Sequence, residues 1–171
     1  NLDVGFGSLR TIRAESATTV PLVEAQLALE NGILSGTVRN RSDQALEKVA
    51  VVLGGSVAMI GDIAAGEEKP VTLRPTGNAF QQPLADRIFG QAFFGDGSQL
   101  TEEGLRQRVR YSVVSQLTYD PMWGNTGNLS SSGAVILAWG RHEVLDVRIE
   151  NQAARRNANV LYYLPVDISV S

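Results

Sequence analysis

The sequence predicts a mainly β fold, an antiparallel β-sandwich with a helical insertion at about residues 78–132. Residues 34–73 alternate apolar and polar side chains between turn signals, which is the pattern of a sheet covered on one face. The alternation stops near residue 78 and returns at residue 134. The 171 residues, 43% of them hydrophobic, suffice for one core, so we expect a single domain over residues 1–171.

The strands before residue 40 are predicted from alternation and from one strong turn signal. Residues 1–13 alternate loosely and indicate a leading strand or edge segment. From residue 20 the alternation strengthens up to Asn31-Gly32, a dipeptide typical of hairpins because both residues tolerate positive φ. The partner strand over residues 33–39 has mixed faces, which indicates a strand near an edge or partly covered.

Two glycine signals divide the next part of the chain. Gly54-Gly55 separates a strand that ends at residue 53 from its partner over residues 56–60. Gly66 is the expected left-handed residue of a loop over residues 61–68. A short strand follows at residues 71–73.

The insertion contains two predicted helices. Residues 84–89 have the spacing of a short helix, and residues 102–117 form the strongest helical pattern in the chain. Thr101 is the expected N-cap of the second helix, and Glu102 and Glu103 lie in its first turn, where acidic side chains complement the helix dipole. We expect its buried stripe to consist of the apolar residues at helical spacing, namely Leu105, Val109, Val113 and Leu117.

The strand pattern returns after the insertion. Residues 134–139 are an uninterrupted apolar run, which predicts a central strand covered on both faces. Residues 144–149 alternate again, and residues 151–159 form a polar connection. Residues 160–170 read as one long closing strand, in which Pro165 favours an edge position or a bulge.

Composition and motifs argue against several function classes. The net charge of −3 and the short arginine clusters give no nucleic-acid surface, and the absence of cysteine excludes disulfides and thiolate chemistry. His142 is the only histidine and lies in a predicted turn, and no G-x-S-x-G motif provides a nucleophile elbow. The glycine-flanked Asp96 lacks the downstream glutamate of a calcium loop. We therefore expect no enzyme activity, no cofactor and no metal.

One loop after the long helix is a candidate binding site. It contains Tyr119, Asp120, Trp123 and Asn125, and aromatic rings beside polar side chains can stack a sugar or anchor a peptide. The alternative is that the two aromatic rings pack into the gap between helix and sheet. Phe93-Phe94 raises the same pair of alternatives.

Part of the chain resembles a known family. Gly36-Thr37-Val38-Arg39-Asn40-Arg41-Ser42, Val49-Ala50-Val51, Gly61-Asp62-Ile63 and Gly66-Glu67 are similar to the FxLYD-type bacterial Ig-like domains. The resemblance covers about a quarter of the chain and rests on turn glycines and a strand-ending asparagine. It implies an Ig-like, extracytoplasmic sandwich attached to a membrane protein or lipoprotein, and it supplies no catalytic residue.

Two functional hypotheses follow from these observations. The first is a non-catalytic, extracytoplasmic interaction or spacer module of a bacterial membrane-associated protein, with a protein or cell-envelope component as its partner. The second is a carbohydrate- or peptide-binding module that uses the aromatic loop. No run approaches the ~20 apolar residues of a membrane helix, so we expect any signal peptide or anchor to lie outside this segment, which begins at Asn1.

Overall fold

The computed structural model describes residues 23–76, 82–90, 101–120, 124–125, 129, 133–141 and 158–170. The strands predicted at residues 1–13 and 144–149 lie outside these ranges.

Neither helix in the described residues is both long and apolar enough to cross a membrane. The elements are β1 (Val23–Glu30), β2 (Ile33–Asn40), β3 (Leu46–Leu53), β4 (Ser56–Ile63), β5 (Glu68–Leu73), α1 (Leu84–Phe89), α2 (Glu102–Leu117), β6 (Tyr119–Asp120), β7 (Gly124–Asn125), β8 (Ala134–Gly140), β9 (Val160–Val166) and β10 (Ile168–Val170).

The strands form two four-stranded sheets within the described part of the chain. The first sheet has the order β10-β1-β2-β5 and the second has the order β4-β3-β8-β9. Neighbouring strands are antiparallel except β1 and β10, which are parallel. Both helices come between β5 and β8 in the chain. The predicted mainly β sandwich with a helical insertion is thereby confirmed.

The second sheet is a middle layer between the first sheet and the helices. All seven residues of β8 are buried, which confirms the predicted central strand covered on both faces. Alternate side chains of β8 enter different cores because successive residues of a strand point to opposite faces. Ala134, Ile136 and Ala138 join the core between the sheets, whereas Val135, Leu137 and Trp139 join the core beneath the helices.

The first hairpin has the predicted turn. Asn31 and Gly32 connect β1 to β2 with φ of 50° and 75°, and Glu30 pairs with Ile33 directly before and after them. Positive φ at both positions is the requirement of a type I′ turn. β2 itself lies between β1 and β5, so of the two predicted alternatives the partly covered strand is confirmed and the edge position is not.

Gly36 allows β1 and β2 to approach closely. It lies opposite Leu27 with φ of 152°, and a Cβ atom built on it would lie 1.9 Å from the carbonyl oxygen of Gln26. No side chain fits at that distance, so this backbone arrangement requires glycine.

The β3–β4 pair is longer and less regular than predicted. β4 continues to Ile63, so the loop expected at residues 61–68 is reduced to residues 64–67. Its left-handed residue is Gly66, as predicted, with φ of 73°. The pairing with β3 shifts register between Leu46 and Ala50, and Lys48 in this bulge has φ of 49°.

Asn40 fastens the corner where β2, the following turn and the β4–β5 connection meet. Its side chain is fully buried. Nδ2 donates to the carbonyl oxygens of Gln44, Ile63 and Ala64 at 2.7, 3.2 and 3.0 Å. Oδ1 accepts from the backbone N–H and the hydroxyl of Ser42 at 3.0 and 2.6 Å. One buried amide thereby connects the end of β2 to the following turn and to the β4–β5 connection.

The predicted single closing strand is two strands in different sheets. Among the described strands, β9 is at the edge of the second sheet and pairs with β8, whereas β10 is at the edge of the first sheet and pairs with β1. Leu164, Val166 and Ile168 all pack against the core between the sheets. Their alternation continues through the change of sheet, so the sequence pattern could not reveal it. Within the described part of the chain, Pro165 has the predicted edge position, in the last strand of the order β4-β3-β8-β9.

Candidate functional site

Helix α2 begins at its predicted cap. The Thr101 Oγ1 accepts a hydrogen bond from the Gly104 backbone N–H at 3.0 Å, and the helix extends over the predicted residues Glu102–Leu117. Two acidic residues lie in its first turn, where they complement the positive end of the helix dipole. Local signals in the sequence therefore determine both the start and the length of this helix.

The orientation of α2 differs from the prediction. The expected buried stripe is largely on the surface: Leu105 is 52% exposed, Val109 51% and Leu117 38%, whereas Val113 is half-buried and packs against the core beneath the helices. The residues that the structure buries on α2 are instead Arg110 and Val114. We refer to Leu105, Val109, Val113 and Leu117 as the α2 ridge.

Arg110 replaces the expected apolar contact between α2 and the sheet. Its guanidinium carbon lies 5.2 Å from the centre of the Trp139 ring, within cation–π range. Nε donates to Asn159 Oδ1 at 3.0 Å, and Nη1 lies 2.8 Å from Glu47 Oε2 in an ion pair without hydrogen-bond alignment. The arginine stem and the charged end together connect α2 to β3, to β8 and to the residue before β9.

Glu47 is placed for this role by the β3 bulge. Its side chain is largely buried, and it holds a second ion pair with Arg141 at the end of β8. Arg141 Nη2 also lies 3.6 Å from Glu103 Oε2, and Arg106 Nη1 lies 2.5 Å from the same oxygen. These five residues form a chain of alternating charges that runs from the buried guanidinium to the first turn of α2.

The pKa of Glu103 reflects this chain of charges. The hydrogen bond from the Gln107 amide, 2.6 Å from Oε1, is the largest cause that lowers the Glu103 pKa below its ordinary value. The positive charges of Arg106 and Arg141 lower it further, while partial burial acts in the opposite direction. A carboxylate that is ionised and paired in this way holds the helix in place and is poorly suited to proton transfer near neutral pH.

Helix α1 completes the layer over the second sheet. The Tyr111 hydroxyl donates to Asp86 Oδ1 at 2.7 Å, and the Phe89 ring lies 6.4 Å from Tyr111 and 6.5 Å from Trp139. Burial, followed by the hydrogen bond and the charge of Asp86, raises the pKa of Tyr111. The aromatic side chains here are packing elements between the two helices and β8.

The predicted binding loop is a short hairpin. β6 and β7 pair antiparallel, which places Tyr119 opposite Asn125 and Asp120 opposite Gly124. Tyr119 is 63% exposed and therefore presents its ring at the surface. Trp123 lies outside the described residues, as do His142, Asp96 and Phe93-Phe94.

The acidic residues near the β4–β5 corner have structural partners. Asp62 Oδ1 accepts from the Lys48 backbone N–H at 2.9 Å, and Glu67 Oε2 accepts from the Ala64 backbone N–H at 2.6 Å. Among the described residues, no group of three or more histidine, cysteine, aspartate or glutamate side chains is arranged to hold a metal ion. These carboxylates stabilise the bulge and the corner.

The outer face of the first sheet carries a shallow groove. It has a volume of about 450 Å³ and is lined by residues of β1, β2 and β10, with Gln26, Ser35, Asp167 and Ser169 as its polar side chains. A single carboxylate and the absence of any aromatic ring in this lining give it neither a catalytic pair nor a stacking surface.

The sequence pattern predicted that the α2 ridge is buried, and this prediction is wrong for three of its four residues. The signal that could have found the buried face is the second row at helical spacing, in which Arg110 and Val114 are followed by Thr118, all three of them buried. An arginine in a buried row is informative because its aliphatic stem packs like an apolar side chain.

The comparisons with known proteins give one result on the family. The model of a protein family described as a domain of unknown function (DUF8725) matches residues 22–169. No curated protein and no solved structure matches the chain significantly. The family match begins one residue before β1 and ends within β10, so it includes both sheets and both helices.

Proposed function

The chain belongs to the DUF8725 family, and from this premise we propose that it is a non-catalytic protein-interaction module whose contact surface is the α2 ridge. One observation carries the proposal. Three of the four ridge residues, Leu105, Val109 and Leu117, are exposed, whereas Arg110 is fully buried on the face of α2 that meets the sheet.

The size of the exposed apolar surface supports a contact role. Leu105, Val109, Leu117 and the adjacent Tyr119 are each between 38% and 63% exposed. Together they present roughly 350 Å² of mainly apolar surface, within the range of the largest patches on monomers, which are often functional. Covering this area would contribute about 9 kcal/mol before the costs of association are subtracted.

The state of the charged groups supports a non-catalytic role. The carboxylates of Glu47 and Glu103 are held by arginines, and those of Asp62 and Glu67 accept backbone hydrogen bonds. Catalytic acids and bases require a pKa near the working pH and access to a substrate. These four carboxylates instead stabilise the fold through ion pairs and hydrogen bonds.

The cellular setting in this proposal is the outside of a bacterial membrane, with attachment through a segment outside this chain. It rests on the resemblance to FxLYD-type Ig-like domains. Three of the residues in the similar segments meet at one corner, where Asn40 donates its backbone N–H to the Glu67 carbonyl oxygen at 2.9 Å and its side-chain amide to the Ile63 carbonyl oxygen. The partner is a protein or a component of the cell envelope.

Photo-crosslinking in cells tests the contact surface. A photoreactive amino acid replaces Val109 on the ridge in the full-length protein, and Ser35 on the exposed face of β2 serves as the matched control. We expect covalent adducts from position 109 and none from position 35. Equal labelling at the two positions, or no adduct at position 109, would contradict the proposal.

Labelling of an introduced cysteine tests the proposed position outside the bacterial membrane. The segment has no cysteine of its own, so Ser35→Cys introduces one exposed thiol. In intact cells we expect a membrane-impermeant maleimide to label this thiol in the full-length protein, with the parent protein as control. Labelling that appears only after lysis would refute the extracytoplasmic position.

A second candidate function is the binding of a carbohydrate or peptide by Tyr119, Asp120, Trp123 and Asn125. The observation in its favour is the exposed Tyr119 ring on a hairpin that places Asn125 opposite. A glycan and peptide array with the wild-type protein and Tyr119→Ala tests it. We expect a specific signal that the substitution removes, and an array without signal would refute this function.

A further inference from the structure

We propose that the partner of the α2 ridge is a second copy of the same chain, paired by a two-fold axis with the two α2 helices antiparallel. This inference rests on the proposed interaction function and specifies its partner.

The order of side chains along the ridge supports a two-fold contact. Leu105, Val109, Val113 and Leu117 give the same order of residue types in either direction. In a two-fold interface, if one residue contacts a second residue of the other copy, then the second residue of the first copy contacts the first residue of the other copy. An antiparallel pair would therefore place Leu105 against Leu117 of the second copy, and Val109 against Val113.

The spacing of the ridge fits helix packing. Residues four apart on a helix form a row inclined to the axis, and two such rows interlock at a crossing angle of about 50°. All four ridge residues are separated by four positions. The ridge thus has the geometry of the commonest class of helix–helix contact in globular proteins.

Charge favours the antiparallel direction. Every charged residue of α2 lies in its first half, between Glu102 and Arg110, and residues 111–119 carry none. A parallel pair would bring Glu102 close to Glu102 of the second copy and Arg108 close to Arg108. In an antiparallel pair, the charged half of each helix lies against the uncharged half of the other. The two helix dipoles then point in opposite directions, which is favourable.

The expected area indicates a reversible dimer. Ridge side chains and their exposed neighbours Arg108, Ser112 and Gln116 would together bury on the order of 1,000 Å² over both copies. This is the lower limit for a specific interface, so we expect dissociation in the micromolar range of concentration.

Disulfide trapping tests the pairing and its direction. Leu105→Cys and Leu117→Cys are made separately in the cysteine-free chain, one of them with a size tag. A disulfide needs Cβ atoms about 4 Å apart, so we expect efficient cross-linking when the two variants are mixed and little with either alone. Ser35→Cys, on the opposite side of the molecule's sheets, is the control. Cross-linking of each variant with itself would overturn the antiparallel arrangement.

Sedimentation equilibrium tests the dimer independently. We expect the wild-type chain to dimerise and Val109→Glu to weaken dimerisation at least about tenfold, with Ser35→Glu unchanged. Circular dichroism checks that each variant is folded. If the wild type stays monomeric while position 109 cross-links to another protein in cells, the two-fold pairing is wrong and the interaction function stands. If neither a dimer nor an adduct forms, both proposals fall.

Discussion

Arg110 stacks on Trp139 in the interior of the protein, with its guanidinium carbon 5.2 Å from the ring centre and no exposed surface of its own. This contact determines how α2 lies on the second sheet. Because the arginine faces inward, Leu105, Val109 and Leu117 of the apolar ridge lie at the surface. The proposed interaction surface is therefore a consequence of a buried charge.

The Arg110–Glu47 pair should be strongly coupled. Glu47→Gln leaves a buried guanidinium without its counter-charge, and we expect it to cost about 3 kcal/mol of the free energy of unfolding. Arg110→Met keeps an unbranched side chain against Trp139 and leaves Glu47 paired with Arg141, so its cost should be smaller. Urea unfolding of both variants and of the double variant measures the coupling. The sum of the single costs should exceed the double cost by at least about 0.5 kcal/mol, and additive costs would contradict the coupling.

Asn40 should be among the most sensitive polar residues. Asn40→Ala removes the donors for three carbonyl oxygens and the acceptor for Ser42, and we expect a loss of about 3 kcal/mol in the free energy of unfolding. Ser42→Ala removes only the hydroxyl contacts and should cost about 1 kcal/mol. Chemical denaturation measures both. Similar losses of unfolding free energy in the two variants would show that the buried Asn40 amide is not the main stabilising group at this corner.

Gly36 and Gly66 provide a matched pair of glycine substitutions. Gly36→Ala forces the β1 and β2 backbones apart, since its Cβ would lie 1.9 Å from the Gln26 oxygen, and we expect loss of the cooperative transition or a cost above about 3 kcal/mol. Gly66 has φ of 73°, but a Cβ atom at this position would lie in open space. Gly66→Ala should therefore lower the free energy of unfolding by only about 1 kcal/mol. Thermal unfolding followed by circular dichroism compares them. A milder effect at position 36 than at position 66 would argue against the close approach.

The two faces of α2 should respond differently to truncation. Val114→Ala creates a cavity beneath the helix, and we expect it to cost about 2 kcal/mol. Val109→Ala removes a half-exposed side chain and replaces it with a better helix former, so its effect should lie within about 0.5 kcal/mol. Urea unfolding is done at a concentration below dimerisation. A larger cost for Val109→Ala than for Val114→Ala would indicate that the ridge is buried, as the sequence pattern predicts.

Glu103 should make stability depend on pH at the acidic end. Its pKa in the folded protein is lowered from the ordinary value of 4.5, so the unfolded chain binds the proton more readily. The stabilising contribution is complete above about pH 4.5 and is lost as the pH falls through the folded-state pKa. The difference in unfolding free energy between wild type and Glu103→Gln should therefore shrink on acidification. Glu30→Gln, at the exposed end of β1, is the control, and a constant difference at position 103 would refute the assignment.

Local signals in the sequence predicted the elements well. Asn31-Gly32 indicates the turn that the structure contains, Thr101 caps α2, and the apolar run at residues 134–139 is the doubly covered strand β8. Each of these depends on neighbours within a few positions, such as a turn dihedral, a capping hydroxyl or the alternation of a strand. The position of Tyr119 directly after the helix is likewise a local feature of the sequence, but the sequence left open whether its ring is exposed or packed, and the structure places it at the surface.

The sequence by itself determined which residues share a face of α2, where the first hairpin turns and which strand is covered on both faces, because these follow from backbone periodicity and local turn signals. Tertiary structure decided which face of α2 meets the sheet, because Glu47 in the β3 bulge and the Trp139 ring favour a cation with a long stem over an apolar row. It also decided that the closing segment divides between two sheets, since β9 and β10 contribute to the same core and their alternation is continuous. Periodicity defines faces, and the contacts between distant segments select the one that is buried.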